Sequence, residues 1–150
     1  MGRFFIGFLK RVNFIWILFF CLSCSLVERD EKIAFLETKH NIVIDSSIER
    51  IYVFNERGKF CKTCFNALAA CLADKELDDT ELLLINNNGN FLNRERFLNK
   101  KNTSLIYDQR DYSLEGLPDL GILYLNRNQI DCVVYVNPQN INQIISEIQR

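Results

Sequence analysis

The chain has 150 residues, of which 48% are hydrophobic and 25% are charged, a composition typical of one globular domain with one core. Its net charge of −1 hides an asymmetry, because the first 23 residues contain three basic residues and no acid, leaving 15 basic and 19 acidic residues in the remainder. The remainder has no excess of positive charge with which to neutralise a phosphate backbone, and this argues against a nucleic-acid partner.

The N-terminal segment has the pattern of an export signal. Residues 14–22 form an apolar run that is shorter than the roughly 20 residues of a membrane helix and is typical of a signal-peptide core. Ser23 and Cys24 follow this core and resemble the lipobox of bacterial lipoproteins, although Cys21 stands where that family usually has Leu. The resemblance implies a signal peptide over 1–23, cleavage before Cys24, and attachment of the lipid to Cys24.

A plain secretory signal and an uncleaved short anchor are the alternatives, and all three export the domain. The lipoprotein interpretation predicts a lipid-anchored protein of the cell envelope, periplasmic or associated with the outer membrane. By resemblance to general sorting behaviour, Ser25 permits outer-membrane delivery. Residues 24–40 are interpreted as the lipidated cysteine and a tether, because residues 25–32 are mostly polar and charged.

Export affects the cysteines, because disulfides persist in oxidising compartments. Four cysteines follow Cys24, and only Cys61 and Cys64 are matched by their spacing. Cys71 falls on an apolar helix stripe and Cys132 lies in a hydrophobic strand, so we expect both to be core residues.

The elements of the domain, predicted over residues 41–150, alternate between strands and helices. The β-branched and aromatic runs 41–44 and 50–54 predict strands. Residues 55–59 predict a loop, and 61–75, which lack Gly and Pro, predict a helix. Its apolar positions follow the spacing of one buried helix stripe.

The second half of the chain continues this order. Residues 80–85 predict a buried strand, 91–100 a short polar helix, and 104–107 a short strand. Residues 121–125 and 130–136 predict an antiparallel hairpin, since the four residues between them favour a turn. A final amphipathic helix follows, with Pro138 in its first turn.

This order, with Cys61-Lys62-Thr63-Cys64 opening the first helix after a central strand, resembles the thioredoxin fold over about residues 41–150. A second motif that supports the resemblance is Gly116-Leu117-Pro118, directly before the hairpin, which is similar to the Gly-Ile-Pro of thioredoxins. The lipoprotein start suggests the membrane-tethered, TlpA-like branch. The resemblance implies an α/β domain with a central mixed sheet and flanking helices, preceded by the signal peptide.

The resemblance also implies roles for individual residues. Leu117 and Pro118 would contact the substrate, and we expect the peptide bond before Pro118 to be cis. The chain departs from the family pattern in lacking the Trp before the motif and the Gly-Pro within it. The buried acid of thioredoxins has no clear counterpart, since Glu56 lies in a predicted loop where burial is not expected.

The spacing of the two cysteines suits redox chemistry. Residues three apart at a helix start lie on adjacent turns, where their sulfurs can close a small ring. Unpaired N–H groups and the helix dipole favour a thiolate at Cys61, so Cys61 is the expected nucleophile and Cys64 the residue that resolves the mixed disulfide.

The leading hypothesis is therefore a membrane-anchored thiol-disulfide oxidoreductase that acts on cysteine-containing exported proteins or a redox partner, without a cofactor or metal. A redox-inert domain of the same fold, acting as a binding or structural module, is the alternative. Copper handling by the two thiolates is a weaker third possibility, because family copper carriers use a longer cysteine spacing and a later histidine.

Overall fold

The computed structural model describes residues 30–86, 92–106, 114 and 116–150. Five strands form one mixed sheet in the order β3-β2-β1-β4-β5. Strands β1, β2 and β3 are parallel, whereas β4 is antiparallel to β1 and to β5. The elements in chain order are α1 (Glu31–His40), β1 (Arg50–Asn55), α2 (Lys62–Asp74), β2 (Glu81–Asn86), a 3₁₀ turn (Arg94–Arg96), β3 (Thr103–Ile106), β4 (Leu120–Asn126), β5 (Gln129–Tyr135) and α3 (Ile141–Ile148). The predicted α/β class, with a mixed sheet and flanking helices, is confirmed.

Helices cover both faces of the sheet. Alternate strand residues point to opposite sides, and in β1 both sets are apolar and need to be buried. Tyr52 and Phe54 of β1 belong to the core layer under α2 and α3, and Ile51 and Val53 belong to the layer under α1. All four side chains are completely buried. The first layer, called here the cysteine layer, also contains Cys64.

Helix α1 lies before residue 41, within the segment interpreted above as a tether. Asp30 caps the helix by accepting a hydrogen bond from the Lys32 N–H at 2.9 Å. Ile33 and Leu36 lie one turn apart and are completely buried in the layer opposite the cysteine layer. The residues after position 30 are thus part of the folded domain, because this single apolar edge packs on the sheet despite the charged surroundings.

Two further predicted elements differ from the structure. Residues 41–44 form no strand, since Asn41 ends α1 in the left-handed conformation and Val43 is 85% exposed. Residues 91–100 are not an α-helix where they are described, and only the 3₁₀ turn at Arg94–Arg96 is regular. Among the described residues, no helix is both long and apolar enough to cross a membrane.

The predicted hairpin is confirmed and has a two-residue turn. Asn126 pairs with Gln129, and both Arg127 and Asn128 have positive φ, at 50° and 66°. Positive φ at both central residues matches the right-handed twist of the flanking strands. The last helix begins at Ile141, so Pro138 lies in the preceding turn instead of the first helical turn.

Candidate functional site around Cys61 and Cys64

The two predicted redox cysteines meet at the start of α2. They form a disulfide with their Cα atoms 5.3 Å apart. Cys61 is the N-cap residue, and its Sγ accepts a hydrogen bond from the Cys64 N–H at 3.3 Å. Cys61 is half-buried, whereas Cys64 is only 2% exposed. Cys61 therefore keeps part of its surface in contact with solvent, whereas Cys64 is enclosed by the cysteine layer.

Aromatic rings fix the position of this helix start on the sheet. Phe65, completely enclosed by the core, stacks on Phe60 with ring centroids 4.6 Å apart and meets Phe54 edge-on at 5.0 Å. Such pairs add stabilisation beyond the burial of their area. Because Phe60 directly precedes Cys61, the stack holds the chain as it enters α2.

The carboxyl ends of β1 and β2 carry buried polar side chains. Asn55 and Asn86 are paired in register at the carboxyl ends of β1 and β2, and Asn86 Nδ2 donates to Asn55 Oδ1 at 3.1 Å. Asn55 Oδ1 also accepts the Arg57 N–H at 3.2 Å. These bonds satisfy polar groups that would be costly to bury alone.

Glu56 is 3% exposed, so the expectation that its loop position would prevent burial is wrong. Its Oε1 accepts a hydrogen bond from the Leu92 N–H, and its own N–H donates to the Asn86 carbonyl at 3.0 Å. The stabilising donor comes from a segment 36 residues away. Sequence proximity therefore gave no indication that this carboxylate is enclosed.

Asp119 joins the segment before Cys61 to the start of β4. Its Oδ1 accepts from Asn55 Nδ2 at 2.9 Å, and its Oδ2 accepts from the Lys59 N–H at 2.8 Å. Its carbonyl accepts the Asn55 N–H at 2.8 Å. Gly58 has no room for a Cβ, because the Asp119 carboxylate occupies that space. Asp119 could not be identified from the sequence, because its only local signal is its position after Pro118.

The proline loop differs from its predicted form. The peptide bond before Pro118 is trans, the isomer that most X–Pro bonds adopt. The proline ring is buried and lies where a side chain at Gly121 would be, which explains the absence of a Cβ there. Leu117 is half-buried and packs in the layer opposite the cysteine layer. The predicted substrate contacts of Leu117 and Pro118 stay a prediction.

The two remaining cysteines have different surroundings. Cys71 is half-buried against the cysteine layer, where burial raises the pKa of its thiol. Cys132 is exposed on the edge strand β5, so its expected core position is wrong. An edge strand has no neighbour on one side, and a hydrophobic run on it is only partly covered.

A second polar cluster lies at the other end of the sheet, at the amino ends of β1 and β2. Glu81 is 3% exposed and its Oε1 accepts bonds from Arg50 at 3.0 Å, Lys75 at 2.8 Å and the Tyr52 hydroxyl at 2.7 Å. Burial alone would raise the pKa of Glu81, but the bonds from Lys75, Tyr52 and the Asp78 N–H outweigh it and lower the pKa.

This cluster borders an open cleft of about 1000 Å³ that is lined by charges of both signs. This cluster could not be predicted from the sequence, because Arg50 and Glu81 are 31 residues apart and each stands at the polar end of an apolar run. Within the described residues, no group of three His, Cys, Asp or Glu side chains could hold a metal ion. No protein-family model, curated protein or solved structure matches this chain.

Proposed function

We propose that the protein is an exported, membrane-anchored thiol-disulfide oxidoreductase with a thioredoxin-like domain. The observation that carries the proposal is the asymmetry of the Cys61–Cys64 disulfide, in which Cys61 is half-buried at a helix N-terminus and Cys64 is 2% exposed. The strand and helix order, with α2 following the central strand β1 and a β4–β5 hairpin before α3, also supports a thioredoxin-like fold.

The chemistry follows from this arrangement. In the reduced protein, the Cys61 thiolate attacks one sulfur of a substrate disulfide and displaces the other substrate sulfur as a thiolate. Cys64 then loses its proton and attacks the Cys61 sulfur, which releases the second substrate thiolate. The substrate gains two electrons, and the protein is left with the Cys61–Cys64 disulfide. The reverse sequence oxidises a substrate dithiol.

The helix N-terminus supports the nucleophilic role of Cys61. The first N–H groups of a helix have no partner within the helix, and they place partial positive charge beside the N-cap residue. The 3.3 Å bond from the Cys64 N–H to Cys61 Sγ shows one such group directed at the sulfur. A thiolate formed there is stabilised relative to one in water.

Redox activity is tested by reduction of insulin disulfides and by the equilibrium of the protein with glutathione. We expect activity in the wild type and its loss when both Cys61 and Cys64 are changed to Ser. A matched variant with Cys71→Ser and Cys132→Ser leaves the disulfide in place and should keep full activity. No insulin reduction by the wild type, together with a disulfide that resists dithiothreitol, would leave the redox-inert binding module as the better account.

The membrane anchor is proposed from the sequence, because residues 1–29 lie outside the described residues. Attachment of lipid to Cys24 would place the domain at a membrane of the cell envelope, where exported proteins with cysteines or a redox partner would meet it. We expect Cys24→Ala to abolish incorporation of labelled palmitate and to release the protein from the membrane fraction. Cys21→Leu is the control, since it removes the other thiol and keeps an apolar residue at that position, and it should retain the label. Loss of the label in both variants would contradict Cys24 as the specific lipid site.

A further inference from the structure

The Asp119 carboxylate holds the segment that carries Cys61. Both of its oxygens are used, one for the Asn55 side chain and one for the Lys59 N–H. Lys59 lies two residues before Cys61, so the second bond fixes the chain close to the point where it enters α2. Since Asp119 also follows Pro118, one residue ties the disulfide loop to the start of β4.

The two hydrogen bonds of the Asp119 carboxylate, to the Asn55 side chain and to the Lys59 N–H, are called here the clamp. The residues around the clamp are themselves held in place. Asn55 is 3% exposed and is held by Asn86 from the neighbouring strand. On the other side, the carboxylate lies against Gly58, where no Cβ can be accommodated. Residues 55–59 are thereby connected to the ends of β1, β2 and β4, the three central strands of the sheet.

We propose that Asp119 is a positioning residue of the Cys61–Cys64 disulfide, which holds Cys61 over Cys64 and favours the disulfide over the dithiol. The inference rests on the proposed redox function and concerns the balance between its two states. Ring closure is favoured when the chain already holds the two Cα atoms near their 5.3 Å separation, because this raises the effective concentration of one thiol at the other.

The charge of Asp119 acts in the same direction. A carboxylate bonded to the backbone two residues before Cys61 opposes a negative charge on the reduced sulfur, which disfavours the dithiol state. The other charged side chains near Cys61 along the chain are Glu56 and the bases Arg57, Lys59 and Lys62. They are unchanged in the variants below, so they do not confound the comparison.

The test is the equilibrium constant of the full-length protein with reduced and oxidised glutathione, measured in mild detergent. An amide has one acceptor oxygen where a carboxylate has two, so Asp119→Asn loses one of the two clamp bonds. We expect the equilibrium to shift about tenfold towards the dithiol, which is roughly 30 mV for a two-electron couple. Gly58→Ala introduces a Cβ into the space that the Asp119 carboxylate occupies. It should therefore displace the carboxylate and shift the equilibrium in the same direction.

A double variant separates positioning from a general loss of stability. Combining Asn55→Asp with Asp119→Asn exchanges the amide and the carboxylate and restores every bond. The new residue at 119 donates to position 55 and accepts from Lys59, and the new carboxylate accepts from Asn86 and Arg57. We expect this exchange to bring the constant back to within about twofold of the wild type, since the clamp geometry is restored.

Asp45→Asn is the matched control, because Asp45 is exposed and accepts the Ser47 N–H at 2.9 Å in the turn before β1, away from the cysteines. Its constant should equal that of the wild type. Circular dichroism on the same samples checks that each variant is folded. Unchanged constants in folded Asp119→Asn or Gly58→Ala, with a wild type that does exchange, would overturn the inference alone. A wild-type disulfide that never exchanges with glutathione would overturn the proposed function as well.

Discussion

Replacing Glu81 with Gln should strongly destabilise the protein without touching the disulfide. Glu81 is buried and accepts hydrogen bonds from two cations, and Gln keeps the size of the side chain but removes its charge. Breaking a fully buried ion pair from one side costs about 3–5 kcal/mol. The side chains of Arg50 and Lys75 are 34% and 22% exposed, so both can regain water and the cost is reduced.

Two further contacts refine the estimate. The Gln carbonyl can still accept the Tyr52 hydroxyl, but the Asp78 N–H, which donates to Glu81 Oε2 at 3.2 Å, would face the amide nitrogen. Loss of that bond adds about 1 kcal/mol. Together, these terms give a decrease of about 3 kcal/mol in the free energy of unfolding. For a urea m value of about 1.5 kcal/mol/M, the midpoint should fall by roughly 2 M.

The assay is urea unfolding of the full-length protein in mild detergent at pH 7, followed by circular dichroism. Glu49→Gln is the control, since Glu49 lines the same cleft but is exposed, and it should change the free energy by less than about 0.5 kcal/mol. A decrease below about 1 kcal/mol for Glu81→Gln, with an unchanged m value, would refute the role assigned to this ion-pair cluster.

Three other predictions concern stability and use the same assay. The pKa of Glu81 is lowered in the folded state from its ordinary value of 4.5, so the stability that its carboxylate contributes is present above that value and is lost on acidification. The difference in the free energy of unfolding between wild type and Glu81→Gln should therefore shrink from pH 7 to pH 3. Leu36→Ala should lower the free energy of unfolding by about 2–5 kcal/mol, because the side chain is completely buried. Thr38→Ala, on the exposed face of α1, should lower it by under about 1 kcal/mol, and equal losses would contradict the packing of α1. Glu56→Ala should cost about 2 kcal/mol by leaving the Leu92 N–H unpaired, and Glu56→Gln should recover at least half of this loss; no recovery would argue against that bond.

Local patterns were sufficient to predict the elements that matter most for the site. The stretch after Cys61 contains no helix breaker and has one apolar stripe, and the observed helix runs from Lys62 to Asp74. The turn at Arg127 and Asn128 was also predictable, because Asn tolerates positive φ and the flanking runs are apolar. In these segments, nearby residues alone determine the structure.

The errors occurred where distant contacts decide the structure. Helix α1 contains only two completely buried residues, Ile33 and Leu36, among charged neighbours, and the sheet that covers them lies later in the chain. The run at 41–44 has strand-like composition, but Asn41 turns the chain in the left-handed conformation and leaves Val43 in solvent. Composition alone cannot distinguish this loop from a strand.

The polar part of the candidate site could not be predicted for the same reason. The partners of Asp119 are 60 and 64 residues away, and the donor to Glu56 is 36 residues away. None of these three bonds leaves a periodic signal in the sequence. The cysteine pair, by contrast, is defined by two residues three apart, and the disulfide that this spacing favours is present.

The most direct measurement compares the reactivity of Cys61 and of Cys64, each in the absence of the other. Cys64→Ser and Cys61→Ser, each in a background with Cys71→Ser and Cys132→Ser, are treated at pH 7 with a small aromatic disulfide, and peptide mass mapping assigns the adduct. Reaction at Cys61 should be at least about tenfold faster than at Cys64, because the enclosed sulfur must wait for local opening of the domain. Equal rates, or a faster Cys64, would contradict the assignment of Cys61 as the nucleophile.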